Sequence, residues 1–132
     1  MQPKLKYYKI RNSVGATGGF KMEDNKTTIE ELKSKIVKFT KDRNWDKGAD
    51  AKSIVMSLAI EAAELMEIFQ WTHTDEVDNI KKDEKRFEHL KEEIADVFWY
   101  LLRLCAHFDI DLAKAVEDKA EKNNARYPAK QA

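Results

Sequence analysis

Two pairs of acids in this chain have the spacing that puts both members on one face of a helix, one turn apart: Glu61 with Glu64, and Glu93 with Asp96. Their surroundings are unusual. Residues 54–69 are almost wholly apolar apart from Glu61, Glu64 and Glu67, and no Lys or Arg occurs between Ser53 and Ile80. Asp96 lies in a second apolar run, and its neighbours three and four residues away are Glu92, Glu93, Trp99 and Tyr100, none of them cationic. A buried carboxylate is costly unless it is protonated, paired or bound to a metal. One such pair ordinarily marks a solvated helix face, and two readings therefore stand: solvated acids, or a metal site. An all-oxygen donor set suits Mg²⁺, with Mn²⁺ as a substitute. Di-iron bundles use Glu-x-x-His. The residues three before His73, His89 and His107 are Gln70, Arg86 and Leu104, so that motif is absent.

Helices must position these groups. Thr27 with Glu30 and Thr28 with Glu31 form two overlapping capping boxes ahead of the helical series Ile29, Leu32, Ile36, Phe39. The first helix is expected to run to about Arg43, followed by a loop over Asn44–Gly48. A second, apolar nearly all round and so expected to be buried nearly all round, covers about 52–71 and ends at Trp71. A polar connection from His73 to about Asp83 leads to a third over 84–107. Asp111 caps a fourth from Leu112 to about Asn124, with Pro128 beyond it. Helices two and three should pack antiparallel. Glu64 lies roughly 10 Å before the turn and Glu93 roughly 13 Å after it, at about 1.5 Å per residue, so the two pairs stand at similar height.

The bulk numbers agree with a helical domain. The chain has 132 residues, with 42% apolar and 36% charged, and 24 basic residues balance 24 acidic ones. That balance gives no sign of a nucleic-acid polymer or polybasic membrane partner. The single cysteine, Cys105, reads as a reduced core thiol. No 18-residue apolar stretch and no secretory leader is present, so the cytoplasm is expected. Residues 1–24 hold Gly15, Gly18 and Gly19 and show no helical period. They read as a flexible extension or a cloning remnant, or alternatively as a short strand around Tyr7–Ile10. Residues 25–132 form the helical domain.

Glu61-x-x-Glu64 followed by Glu93-x-x-Asp96, with residues 65–92 between them, resembles the paired acidic motif of MazG-like, all-α nucleotide pyrophosphohydrolases, and within them the dCTP pyrophosphatase branch. Arg43–Asp46, the stretch from Glu61 to Trp71, Glu92–Val97 with Tyr100 and Leu101, and Lys119, Asn123 and Arg126-Tyr127-Pro128 carry the resemblance further, across about residues 28–129. It implies an all-α antiparallel bundle of about four helices completed by oligomerisation, usually as a dimer of dimers, here a homotetramer. It implies Mg²⁺ on Glu61, Glu64, Glu93 and Asp96, which would be the catalytic set. Lys119 and Asn123 would contact phosphates, with Arg126 and Tyr127 as weaker candidates. Tyr100 would line the site, and Trp45 and Trp71 would border the base.

The implied reaction converts a (d)NTP to a (d)NMP and pyrophosphate, with dCTP or related deoxynucleotides favoured, in control of the nucleotide pool. The alternative is a non-catalytic helical module that binds nucleotide or protein. Several residues also have plainer readings: Lys119 as a solvated lysine, Trp71 as core, Trp99 as core or interface, and Glu67 as support for the metal site or an outward acid. The three histidines show no ligand spacing and receive no role.

Overall fold

The computed structural model describes residues 21–131, and all the regular structure among them is helical. The expectations for residues 1–20, including the strand around Tyr7–Ile10, lie outside the described residues. Helix α1 (Ile29–Asp42) starts at one of the two capping boxes. The Thr28 hydroxyl accepts from the Glu31 N–H at 3.2 Å, and the Glu31 carboxylate accepts from the Thr28 N–H at 2.7 Å. Thr27 is used differently, its hydroxyl accepting from the Glu23 N–H.

Helix α2 (Ala51–Glu67) is capped by the Asp50 carboxylate, and α3 (Glu84–His107) and α4 (Leu112–Arg126) by those of Asp83 and Asp111. Each acid takes an otherwise unpaired N–H of the first turn. The expected bounds of α3 hold. Those of α2 do not: it stops at Glu67, short of Trp71. The N–H groups of Phe69 and Gln70 both turn back to the Met66 carbonyl, and Arg86 Nη2 donates to the Ile68 carbonyl at 3.2 Å. The apolar period continues to Trp71 in the sequence, but the chain there is already being drawn over to α3. The polar connection is also more ordered than expected, because Val77–Lys82 forms a 3-10 helix that buries Ile80.

Helix α3 is the spine. α2 packs most extensively on it, with α1 and the 3-10 helix beside it. The α2–α3 pairing is antiparallel: Ile68 meets Arg86 near the turn, Glu61 and Glu64 meet Glu93 midway, and Ser57 shares a cleft with Arg103 at the far end. The core is small, comprising Ile36, Ile54, Ile80, Leu102 and Cys105. Leu102 is fully enclosed and Cys105 is buried as expected.

Two expectations about burial are corrected. Within one subunit α2 buries only Ile54, while Val55, Met56, Ile60 and Met66 are exposed. A single small bundle has too few neighbours to cover every side of such a helix. Trp71 is 89% exposed and is not core, because α2 ends before it and the turn carries it outward. Helix α4 buries no side chain and makes at most marginal contact with the other helices. No helix among the described residues is long and apolar enough to cross a membrane.

Candidate active site

The α2–α3 pairing brings three of the four expected acids together. Carboxylate oxygens of Glu61, Glu64 and Glu93 all lie within 4.8 Å of one another. Asp96 is outside this tight set and exposed, though near enough for its charge to act on both Glu61 and Glu93. Glu93 is 8% exposed, Glu61 half-buried and Glu64 exposed, so the cluster opens from the helix interface to solvent. Glu67 points to solvent, which favours the outward reading.

The electrostatics are those of crowded acids with little to balance them. Burial, then a hydrogen bond with and repulsion from Glu64, holds the Glu61 carboxyl above the usual carboxylate range. Burial and repulsion from Glu64 raise Glu93 likewise. Among the described residues no lysine or arginine pairs with any of the four acids. The nearby basic group is His89, with Nδ1 3.7 Å from Glu93 Oε1 and 3.8 Å from Glu92. His89 lies one turn before Glu93, so the pairing was readable from an i, i+4 spacing. Glu93 Oε2 is buried without any hydrogen-bond partner. An orphaned buried carboxylate oxygen is expensive. Together with an all-oxygen, acceptor-only donor set, it fits a hard divalent cation at this point.

The remaining predicted residues are spread out. Tyr100 is half-buried, one turn beyond Asp96 on the same helix. Trp45 is exposed at the end of α1, edge-on to Phe39, whose ring in turn meets Trp99. Its position is set by the way α1 stops. Asn44 adopts a left-handed φ of 56°, its N–H bonds the Lys41 carbonyl, and the Trp45 N–H bonds the Thr40 carbonyl. This is a Schellman stop with asparagine in the place glycine ordinarily takes. Lys119, Asn123, Arg126 and Tyr127 all lie exposed on or just after α4, and within the subunit they are not packed against the acids.

Three comparisons bear on this site. The model of the MazG-like family matches residues 56–132, which include all four acids. The chain belongs to the MazG-like family. Its MazG-like segment begins within α2 and takes in the rest of that helix and all of α3. The chain is 31% identical to dCTP pyrophosphatase 1 of Bos taurus over 116 residues, 88% of this chain and 68% of that one. It is 32% identical to dCTP pyrophosphatase 1 of Homo sapiens over 102 residues, 77% of this chain and 60% of that one. It therefore spans about two thirds of these relatives or somewhat less. Among solved structures, a pyrophosphatase from Archaeoglobus fulgidus is 40% identical, with a TM-score of 0.72, covering 83% of this chain and all of that one.

Proposed function

We propose that this MazG-like chain is a nucleoside triphosphate pyrophosphohydrolase, converting a (d)NTP to a (d)NMP and pyrophosphate with dCTP favoured. The observation that carries it is the knot of Glu61, Glu64 and Glu93 around a buried, unpartnered carboxylate oxygen, in a chain whose relatives are pyrophosphatases by name. A helical interaction module has no use for uncompensated acids in apolar runs.

Glu61, Glu64 and Glu93, with Asp96 at the rim, would hold Mg²⁺, or Mn²⁺ in its place. Bound there, the metal supplies charge neutralisation for the phosphates and activation or orientation of a water. Water attacks the α-phosphorus, the bond to the bridging oxygen breaks, and pyrophosphate leaves. Tyr100 lines this centre, and Trp45 and Trp71 offer faces for the base. Lys119 and Asn123, four apart on one face of α4, grip phosphate oxygens, with Arg126 and Tyr127 beside them.

A second copy of the chain completes the assembly. The exposed Met56, Ile60 and Met66 of α2 and Val116 of α4 are the kind of apolar surface that a homotetramer, a dimer of dimers, would cover. The setting we assign is the cytoplasm, and the role is control of the nucleotide pool.

Pyrophosphate release from a dNTP and NTP panel in Mg²⁺ tests the reaction. The intact protein should release pyrophosphate and monophosphate in equal amounts, and Glu64→Gln should lose at least about 100-fold in rate. An intact protein inert across the panel would falsify the assignment.

A further inference from the structure

The α2–α3 pairing that carries the acids runs on past them. On α2, Ser57 lies four residues before Glu61, and Ser53 four before that, on one helix face; on α3, Arg103 lies seven beyond Asp96. At about 1.5 Å per residue, Ser57 is roughly 6 Å and Arg103 roughly 10 Å further along the pairing. Here Asn44, Trp45, Ser53, Ile54, Ser57 and Arg103 line a cleft of about 410 Å³. That volume is in the range of small-molecule sites, ~300–1,000 Å³.

Arg103 is the unusual member. It is half-buried, and its Nη2 donates to the Trp45 carbonyl at 3.0 Å. Among the described residues it forms no ion pair. A guanidinium carries five donors in a fixed plane, and this one has a single acceptor among the hydrogen bonds of the fold. The Trp45 tether holds the guanidinium at the cleft, and its remaining donors include a pair able to meet two adjacent acceptors. Ser53 and Ser57 add hydroxyls that accept as well as donate.

We infer that Arg103 is a specificity-determining residue, whose fork in the Trp45 cleft selects a base with two adjacent acceptors and an amine beside them, as on the O2–N3–N4 edge of cytosine. This rests on the pyrophosphohydrolase reading, because phosphates held at the acids send the base towards this cleft. Thymine has the same ring, with a methyl group at C5, but presents N3–H, a donor, to the donors of Arg103. A site built to pair polar groups rejects an analogue that leaves them unpaired. The phosphates themselves are not the partner of Arg103, since the acids that need a metal bridge to them lie about two turns back along α3.

The test compares affinities of α,β-imido dCTP and α,β-imido dTTP, which cannot release pyrophosphate, by calorimetry in Mg²⁺. Wild type, Arg103→Ala and Arg103→Lys are measured, with melting temperatures to check folding. Lysine keeps the cation and one donor to the Trp45 carbonyl but not the paired fork. The dCTP-to-dTTP affinity ratio should fall at least about tenfold in both variants. An unchanged ratio overturns the inference, as does an equal loss for both analogues, which would make Arg103 a phosphate contact or a prop for Trp45. Binding does not depend on turnover. A protein that hydrolyses nothing yet shows the Arg103-dependent ratio sinks the proposed reaction and keeps this inference.

Discussion

The α2–α3 pairing has two regions of opposite character. Midway along it, three carboxylates crowd within 4.8 Å, and among the described residues no lysine or arginine pairs with them. At the far end a guanidinium sits beside Trp45 and two serines, and among the described residues no carboxylate pairs with it. Neither end makes sense as stabilisation, since each leaves charged groups short of partners in partly buried positions. Together they suit the ligand proposed above: one part carried by a divalent cation, the other flat and rich in acceptors. The two ends also differ in how they are held. The acids stand on the packed faces of two long helices, whereas Trp45 hangs on a helix stop with asparagine in a left-handed conformation.

The largest effect that separates the ends is metal stabilisation. Mg²⁺ at about 100 times its dissociation constant should raise the folding free energy by about 2.7 kcal/mol, seen as a higher melting temperature. Glu93→Gln should abolish most of that gain, because it converts the buried oxygen pair into an amide that binds metal poorly. Arg103→Ala should leave it intact, since the far end holds no metal. Equal loss in the two variants would show that the pairing responds as one unit and would break the comparison. The same variant bears on the orphaned oxygen: metal-free Glu93→Gln should be at least as stable as wild type, since the cluster then loses one repelling charge.

The two ends were also unequally legible in the sequence. Glu61, Glu64, Glu93 and Asp96 could be read because helical spacing fixes which face each occupies, and an acid in an apolar run is conspicuous. The two pairs stand at similar height despite the early end of α2, since the rise per residue along two real helices sets that height. Asp96 shares the helical spacing of the others, yet it stands outside the tight cluster; spacing gives a face but not the last few ångströms. Arg103 could not be found this way. Its partner Trp45 is 58 positions away, and no local period links a loop carbonyl to a residue on the third helix. Burial failed for a third reason. An apolar run reports a preference for cover without saying what supplies it, and the helices of this chain leave Met56, Ile60 and Met66 in the open.

A smaller effect probes the stop that carries Trp45. A side chain other than glycine, asparagine or aspartate costs about 1–2 kcal/mol in the left-handed region. Asn44→Ala should therefore destabilise by about that amount in denaturant titrations, and Asn44→Gly by little or nothing. Both should leave Mg²⁺ binding unchanged, because the acids lie on α2 and α3. Asp109, at φ 54° in the equivalent stop after α3, is the internal control: Asp109→Ala should cost a similar amount of stability without touching the base end. If Asn44→Ala and Asp109→Ala shift nucleotide affinity alike, Trp45 is not held by its stop.

The smallest effect has a sign that sets the acidic end apart. Glu61 and Glu93 are raised above the ordinary glutamate value of 4.5, burial being the first cause for both. The folded chain therefore binds protons here more tightly than the unfolded chain. The stability this brings is fully present below pH 4.5 and is lost as pH rises through the raised values. Asp50, lowered by its hydrogen bond from the Ser53 N–H, acts in the opposite sense: its contribution is present above its ordinary range and lost below it. In EDTA, raising the pH from 4.5 upwards should lower the melting temperature, and the Glu61→Gln, Glu93→Gln pair should flatten that slope. In saturating Mg²⁺ the slope should reverse, because metal binding needs the carboxylates deprotonated and gains strength as protons leave. A slope of the same sign with and without Mg²⁺ would mean that protons and metal do not compete for these oxygens, and the acidic end would then be a solvated face.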